Sequence, residues 1–133
     1  MINITFPGGK KVYAQVGDFM IETDQSVHGG GDGSAPTPFS LFLSSIGTCA
    51  GIYALGFCQS RGIDTTGMSI AMDLENDLAT GLISKVTLKL ITPEGFPEKY
   101  EAGVIRSMDL CAVKKHFANP PQFVTITDLS EKA

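Results

Sequence analysis

Cysteine is scarce and positive charge is thin, and each shortage excludes a class of protein. Ten Lys and Arg residues against fourteen Asp and Glu leave a net charge of −4. Gripping a phosphate backbone takes a clustered basic face. Ten scattered cations do not form one, so no nucleic acid is expected as a partner. Three cysteines, Cys49, Cys58 and Cys111, are too few for a secreted disulfide scaffold and have no CxxC spacing. The opening residues MINITFPGGKKVYA lack the charged-then-apolar order of a secretory signal. The expected location is therefore cytoplasmic, where thiols stay reduced and a paired thiol is more often catalytic than structural. His28 and His116 show no ligand spacing with Cys or Asp32, so no metal is expected. The glycine-rich loop lacks the GK[ST] ending of a phosphate cradle, and no cofactor is expected either.

Charge is also missing in one long block, since residues 33–60 carry no Glu, Lys or Arg and no Asp. Such a stretch is long enough to span a bilayer. Ser40, Ser44, Ser45, Gly47, Thr48, Gly51, Gly56 and Gln59 dilute its hydrophobicity, and neither flank has a basic cluster, so a buried core helix is expected and no membrane. That helix should run from Pro38 to Arg61. Thr37 is its N-cap, Pro38 its first helical residue and Gly62 its stop. Gly47 and Gly51 have the spacing that lets another helix approach closely, within the chain or across a dimer.

The remaining pattern reads as a single domain over 1–133, with 43% hydrophobic and 18% charged residues. Ile2, Ile4 and Phe6 alternate with polar positions, as do Val12, Ala14 and Val16. With the turns Pro7-Gly8-Gly9 and Gly17-Asp18 they predict a three-stranded meander over 2–23. Residues 24–37 read as a flexible loop. Met68–Leu74 and Leu82–Ile91 alternate and predict a hairpin. Residues 97–117 have the periodicity of one helix, ended by Asn119-Pro120-Pro121. Phe123–Ile126 reads as a last strand.

Cysteine is the side chain to weigh for chemistry. Gly47-Thr48-Cys49-Ala50-Gly51 has the letters of a nucleophile elbow, but that motif works only between a strand and a helix, and here helix precedes it. Cys58 lies about 180° round the helix from Cys49 and some 13 Å along it, too far for a bridge, and is expected in the core. Cys111, on the second predicted helix, is the one that could face Cys49. Both could equally be buried small hydrophobes.

The segment from Thr37 through Cys49 (TPFSLFLSSIGTC) resembles the central-helix motif of the OsmC/Ohr family, named for osmotically inducible protein C and organic hydroperoxide resistance protein. A proline opens an apolar helix, and a cysteine follows eleven residues on. Cys111-Ala112-Val113-Lys114-Lys115-His116-Phe117 with Pro120-Pro121 is similar to the family's second cysteine segment. The resemblance implies an α+β fold with antiparallel sheets wrapped around two central helices in an intertwined homodimer. It also implies a thiol-dependent peroxidase for small hydrophobic organic hydroperoxides, with Cys49 as attacking and Cys111 as resolving residue and a dithiol as reductant. The alternative is a dimer of the same fold that binds a small hydrophobic or thiol ligand without turnover. Peroxidase members hold an arginine of the N-terminal strands against a glutamate after the motif proline. Here Phe39 occupies the glutamate position, and no arginine precedes Arg61. Lys10, Lys11 and His28 are the cations that could stand in.

Overall fold

The computed structural model describes residues 1–131. The chain is α+β, with two antiparallel sheets and four α-helices among the described residues. It divides into two compact units, Met1–Thr48 and Cys49–Ala133.

The first unit opens with the expected meander. Strands β1 (Ile2–Gly8), β2 (Lys11–Val16) and β3 (Phe19–Thr23) lie in the order β1-β2-β3. Val12 pairs with Thr23 and Val16 with Phe19 in the second hairpin. Gly17 makes its turn at φ +58°, a conformation that a β-carbon would penalise. Much of the sheet's apolar surface faces outward, since Ile2, Ile4, Phe6, Phe19 and Ile21 are all exposed.

Residues 24–37 are not a slack loop. Asp24 is fully buried, and its carboxylate gathers the segment around itself. The Ser34 hydroxyl and backbone N–H donate to it at 2.7 and 3.1 Å, and the N–H groups of Gln25 and Asp32 at 2.7 and 3.2 Å. Gly31 passes so close that a β-carbon there would collide with the Gln25 carbonyl. Here glycine serves tight packing rather than freedom.

Helix α1 (Pro38–Gln59) begins where its sequence predicts and ends just short of Arg61. Thr37 Oγ1 accepts the Ser40 N–H at 3.2 Å, the N-cap bond. Gly62, at φ +64°, closes the other end, with its own N–H bonded to the Gln59 carbonyl and the Ile63 N–H to that of Cys58, the Schellman pattern. By length and composition α1 is long enough and apolar enough to cross a membrane, a test that a core helix also passes. Only one of its faces is covered by the chain itself. Ile46, Ala50, Ala54, Phe57 and Cys58 are buried, whereas Ser44, Thr48, Ile52 and Gly56 form an exposed stripe at helical spacing.

In the second unit β4 (Ser69–Asn76) and β5 (Ile83–Ile91) form the expected hairpin, with Ile70 opposite Leu90 and Met72 opposite Leu88. Beyond it the structure departs from the single helix expected over 97–117. A short 3-10 turn, Glu98–Tyr100, leads into α2 (Glu101–Asp109), and α3 (Ala112–Ala118) follows after a break at Leu110 and Cys111. Neither Gly nor Pro stands at the break, so local propensity does not cause it. It coincides with complete burial of Cys111, whose backbone is extended (φ −61°, ψ 145°) as the N-cap of α3. The strand expected at Phe123–Ile126 does not form, because no edge within the described chain pairs with it. Phe123, Val124 and Ile126 remain exposed. A last short helix, α4, spans Asp128–Glu131.

Candidate functional site

The core of the second unit joins Ala50, Ala54, Phe57 and Cys58 of α1 to Val104 and Met108 of α2, with Ile70, Leu88 and Leu90 of the hairpin packed against them. Two contacts fix how α1 and α2 meet. A β-carbon on Gly103 would lie 3.0 Å from the Phe57 ring, so the bare glycine is what lets the ring come this near. One turn on, Ser107 Oγ donates to the Tyr53 carbonyl at 3.2 Å. A step of four residues back along α1 therefore matches a step of four forward along α2, and the helices run antiparallel here. Within the chain the close approach of α1 and α2 by glycine is made at Gly103 rather than at Gly51. Within the chain Gly51 faces a strand instead, and a β-carbon there would meet Ile70 Cδ1 at an ordinary 3.6 Å.

Cys49 lies on α1 one turn before Tyr53 and is half-buried; Cys111 lies four residues past Ser107 and is fully buried. All three cysteines are free thiols. Cys58 belongs to the core, as expected, with its sulfur 3.9 Å from that of Met68. Burial pushes its thiol pKa up, and nearby Arg61 only partly opposes the shift. Cys58 is thus kept protonated and unreactive.

Of the cations weighed as partners for a thiolate, Lys11 has another engagement. Lys11 Nζ is bound to Asp32 at 2.5 Å. Arg61 lies 3.6 Å over the Phe57 ring and donates to the Phe57 carbonyl at 3.1 Å. It sits twelve residues, about 18 Å, along the helix direction from Cys49, at the far end of α1. His28 is exposed in the Asp24 loop, and His116 Nδ1 is 2.6 Å from the Ala112 carbonyl. Phe39 stacks on Phe42 with centroids 5.6 Å apart. Among the described residues no group of three or more His, Cys, Asp or Glu side chains could hold a metal.

A cleft of about 700 Å³ opens between β5 and α2. Leu88, Leu90, Phe96, Val104, Ile105 and Met108 give it an apolar lining. Asp109 and Lys114, ion-paired at 2.7 Å across the helix break that holds Cys111, also line it. No sequence signal marks this cleft, because its apolar lining residues read simply as core positions.

Two antiparallel sheets, one long charge-free helix with a cysteine at its middle, and a second cysteine after a following helix define a small α+β thiol protein. The family model described as OsmC-like protein matches residues 31–126, and the chain belongs to that family. Solved structures agree on the fold. A Psychrobacter arcticus protein, described in terms of osmotic stress induction and detoxification response, has 20% identity and a TM-score of 0.72, covering 86% of this chain and 85% of that one. An OsmC-like protein from Mycoplasma pneumoniae has 12% identity and a TM-score of 0.70, over 90% and 87%. An organic hydroperoxide resistance protein OsmC from Legionella pneumophila, also described as a predicted redox protein, has 18% identity and a TM-score of 0.52, over 88% of each chain. No curated protein matches the sequence.

Proposed function

We propose that the chain is a cytoplasmic thiol-dependent peroxidase for small hydrophobic organic hydroperoxides. The observation that carries this reading is the helix register. Phe57 against Gly103 and Tyr53 against Ser107 set α1 antiparallel to α2; Cys49 lies one turn beyond Tyr53 on α1 and Cys111 just past the end of α2, which supports a Cys49–Cys111 pair. In the first step the Cys49 thiolate attacks the O–O bond. The sulfur takes one oxygen as a sulfenic acid, and the other leaves, with a proton, as the alcohol. In the second step the Cys111 sulfur attacks the sulfenic sulfur, forming the disulfide and releasing water. An external dithiol then exchanges with the disulfide and restores both thiols. The half-buried position of Cys49 suits this sequence, since the attacking sulfur must meet substrate and the resolving one need not.

The working form is a homodimer acting as one domain per chain. The exposed apolar residues of β1 and β3, the uncovered stripe of α1 and the unpaired Phe123–Ile126 segment support it. Ile2, Ile4 and Phe6 alternate along β1 and so share one face of the sheet, and an exposed apolar patch marks an interaction surface. The same helix packed on both sides in a dimer needs no membrane.

The reading is tested by peroxide-dependent oxidation of a dithiol such as dithiothreitol. Turnover should vanish in Cys49→Ser, while Cys111→Ser should accumulate a sulfenic acid that dimedone captures. Turnover that survives Cys49→Ser rules the reading out. The cleft beside α2 favours a second reading, a ligand-binding dimer without turnover. In that case a small apolar ligand should bind equally well to wild type and Cys49→Ser, and Ile105→Asp should abolish binding.

A further inference from the structure

Ser107 makes the polar contact that joins α1 to α2. Its hydroxyl reaches the carbonyl of Tyr53, a residue 54 positions away, at 3.2 Å. That carbonyl lies inside α1 and already receives a helical N–H, so Ser107 takes its second lone pair. Around this bond the interface is hydrocarbon: Ala50, Ala54 and Phe57 on one side, Val104 and Met108 on the other. Apolar packing is non-directional and tolerates small slides of one helix past another. A hydrogen bond to a fixed carbonyl does not. The bond sits one turn from Cys49 on α1 and four residues from Cys111 beyond α2, closer to the thiol pair than the Gly103–Phe57 contact on its other side.

We propose that Ser107 is a positioning residue that locks the α1–α2 register and so brings Cys111 to the oxidised sulfur of Cys49. This rests on the peroxidase reading and adds a role that acts on one step only. Disulfide closure demands sulfurs about 2 Å apart on Cα atoms within about 7 Å, a geometry that a small slide spoils. Attack on a small diffusible hydroperoxide makes no demand on α2.

The test separates the two steps in the full-length protein. One equivalent of an organic hydroperoxide is added, Cys49 sulfenic acid is trapped with dimedone, and Cys49–Cys111 disulfide is followed by mass spectrometry. Ser107→Ala should leave the rate of sulfenic acid formation unchanged and slow disulfide closure about fivefold, the loss expected for one hydrogen bond. Overoxidised Cys49 should rise accordingly. Ser107→Thr, which keeps the hydroxyl, should restore closure. Closure at the wild-type rate in Ser107→Ala overturns the proposal, as does an equal slowing of both steps, which marks a merely structural residue. Absence of any disulfide in the wild type removes the peroxidase reading itself, and this role with it.

Discussion

Two regions of the chain are held in opposite ways. Residues 24–34 are organised by one buried carboxylate and the four donors around it. The α1–α2 contact is organised by a hydrocarbon interface with the Ser107–Tyr53 hydrogen bond across it. The first arrangement is directional and tied to a charge; the second is tolerant of shape and indifferent to pH. The proposed chemistry, which needs two sulfurs to meet, would thus fall in the region with less directional control, and Gly103 and Ser107 supply what control there is.

The largest effect expected from breaking this comparison falls in the apolar region. Met108 is 4% exposed and touches both the core and the cleft. Met108→Ala should cost about 3 kcal/mol through lost burial and the cavity left behind. The loss should be the same at pH 7 and pH 4.5, since no ionisable partner is involved. Chemical denaturation at the two pH values checks it, and a strong pH dependence would contradict an apolar origin.

The polar region should show the converse. The Ser34 hydroxyl and N–H, aided by the N–H groups of Gln25 and Asp32, hold the Asp24 pKa down to about 2, against the opposing influence of burial. A carboxyl with a folded pKa below its unfolded value stabilises the fold above the unfolded pKa, about 3.9. That contribution drains away as the pH falls from about 4 to about 2. Melting temperature should therefore drop over this window, and Asp24→Asn should lower it at neutral pH while flattening the acid slope. An unchanged slope in Asp24→Asn would assign the acid sensitivity to other carboxylates.

The same contrast explains what could be read from the letters alone. Period-two alternation on both sides of Pro7-Gly8-Gly9, with Gly17-Asp18 as the second turn, locates β1 to β3, and Thr37-Pro38 with Gly62 brackets α1, because these signals act within a few residues. Asp24 looks like any loop aspartate, since its partners Asp32 and Ser34 are eight and ten residues away and found only when the loop closes. The break at Leu110 and Cys111 has no local breaker; the backbone leaves the helix where Cys111 goes into the interior. Phe123–Ile126 has the pattern of a strand, but a ladder needs an edge, and pattern cannot supply one. Both candidate cysteines are visible in the sequence, whereas Gly103 and Ser107, which set the helices' register, emerge only from their partners on α1.

The smallest effect bears most directly on that register. Gly103→Ala places two terms in opposition. Replacing glycine inside α2 should gain about 1 kcal/mol of helix propensity. The new methyl, however, would stand 3.0 Å from two carbons of the Phe57 ring. That ring is held edge-on to Tyr100, with centroids 5.9 Å apart, and beneath the Arg61 guanidinium, so it has little room to retreat. Overpacking of this kind costs about 1–3 kcal/mol, which leaves a net destabilisation of about 1 kcal/mol. A double-mutant cycle with Phe57→Leu separates the terms. With the ring gone, Gly103→Ala should become stabilising, because only the propensity gain remains. If it stabilises the wild-type background just as much, Phe57 and Gly103 are not in contact, and the antiparallel register of α1 and α2 loses its first anchor.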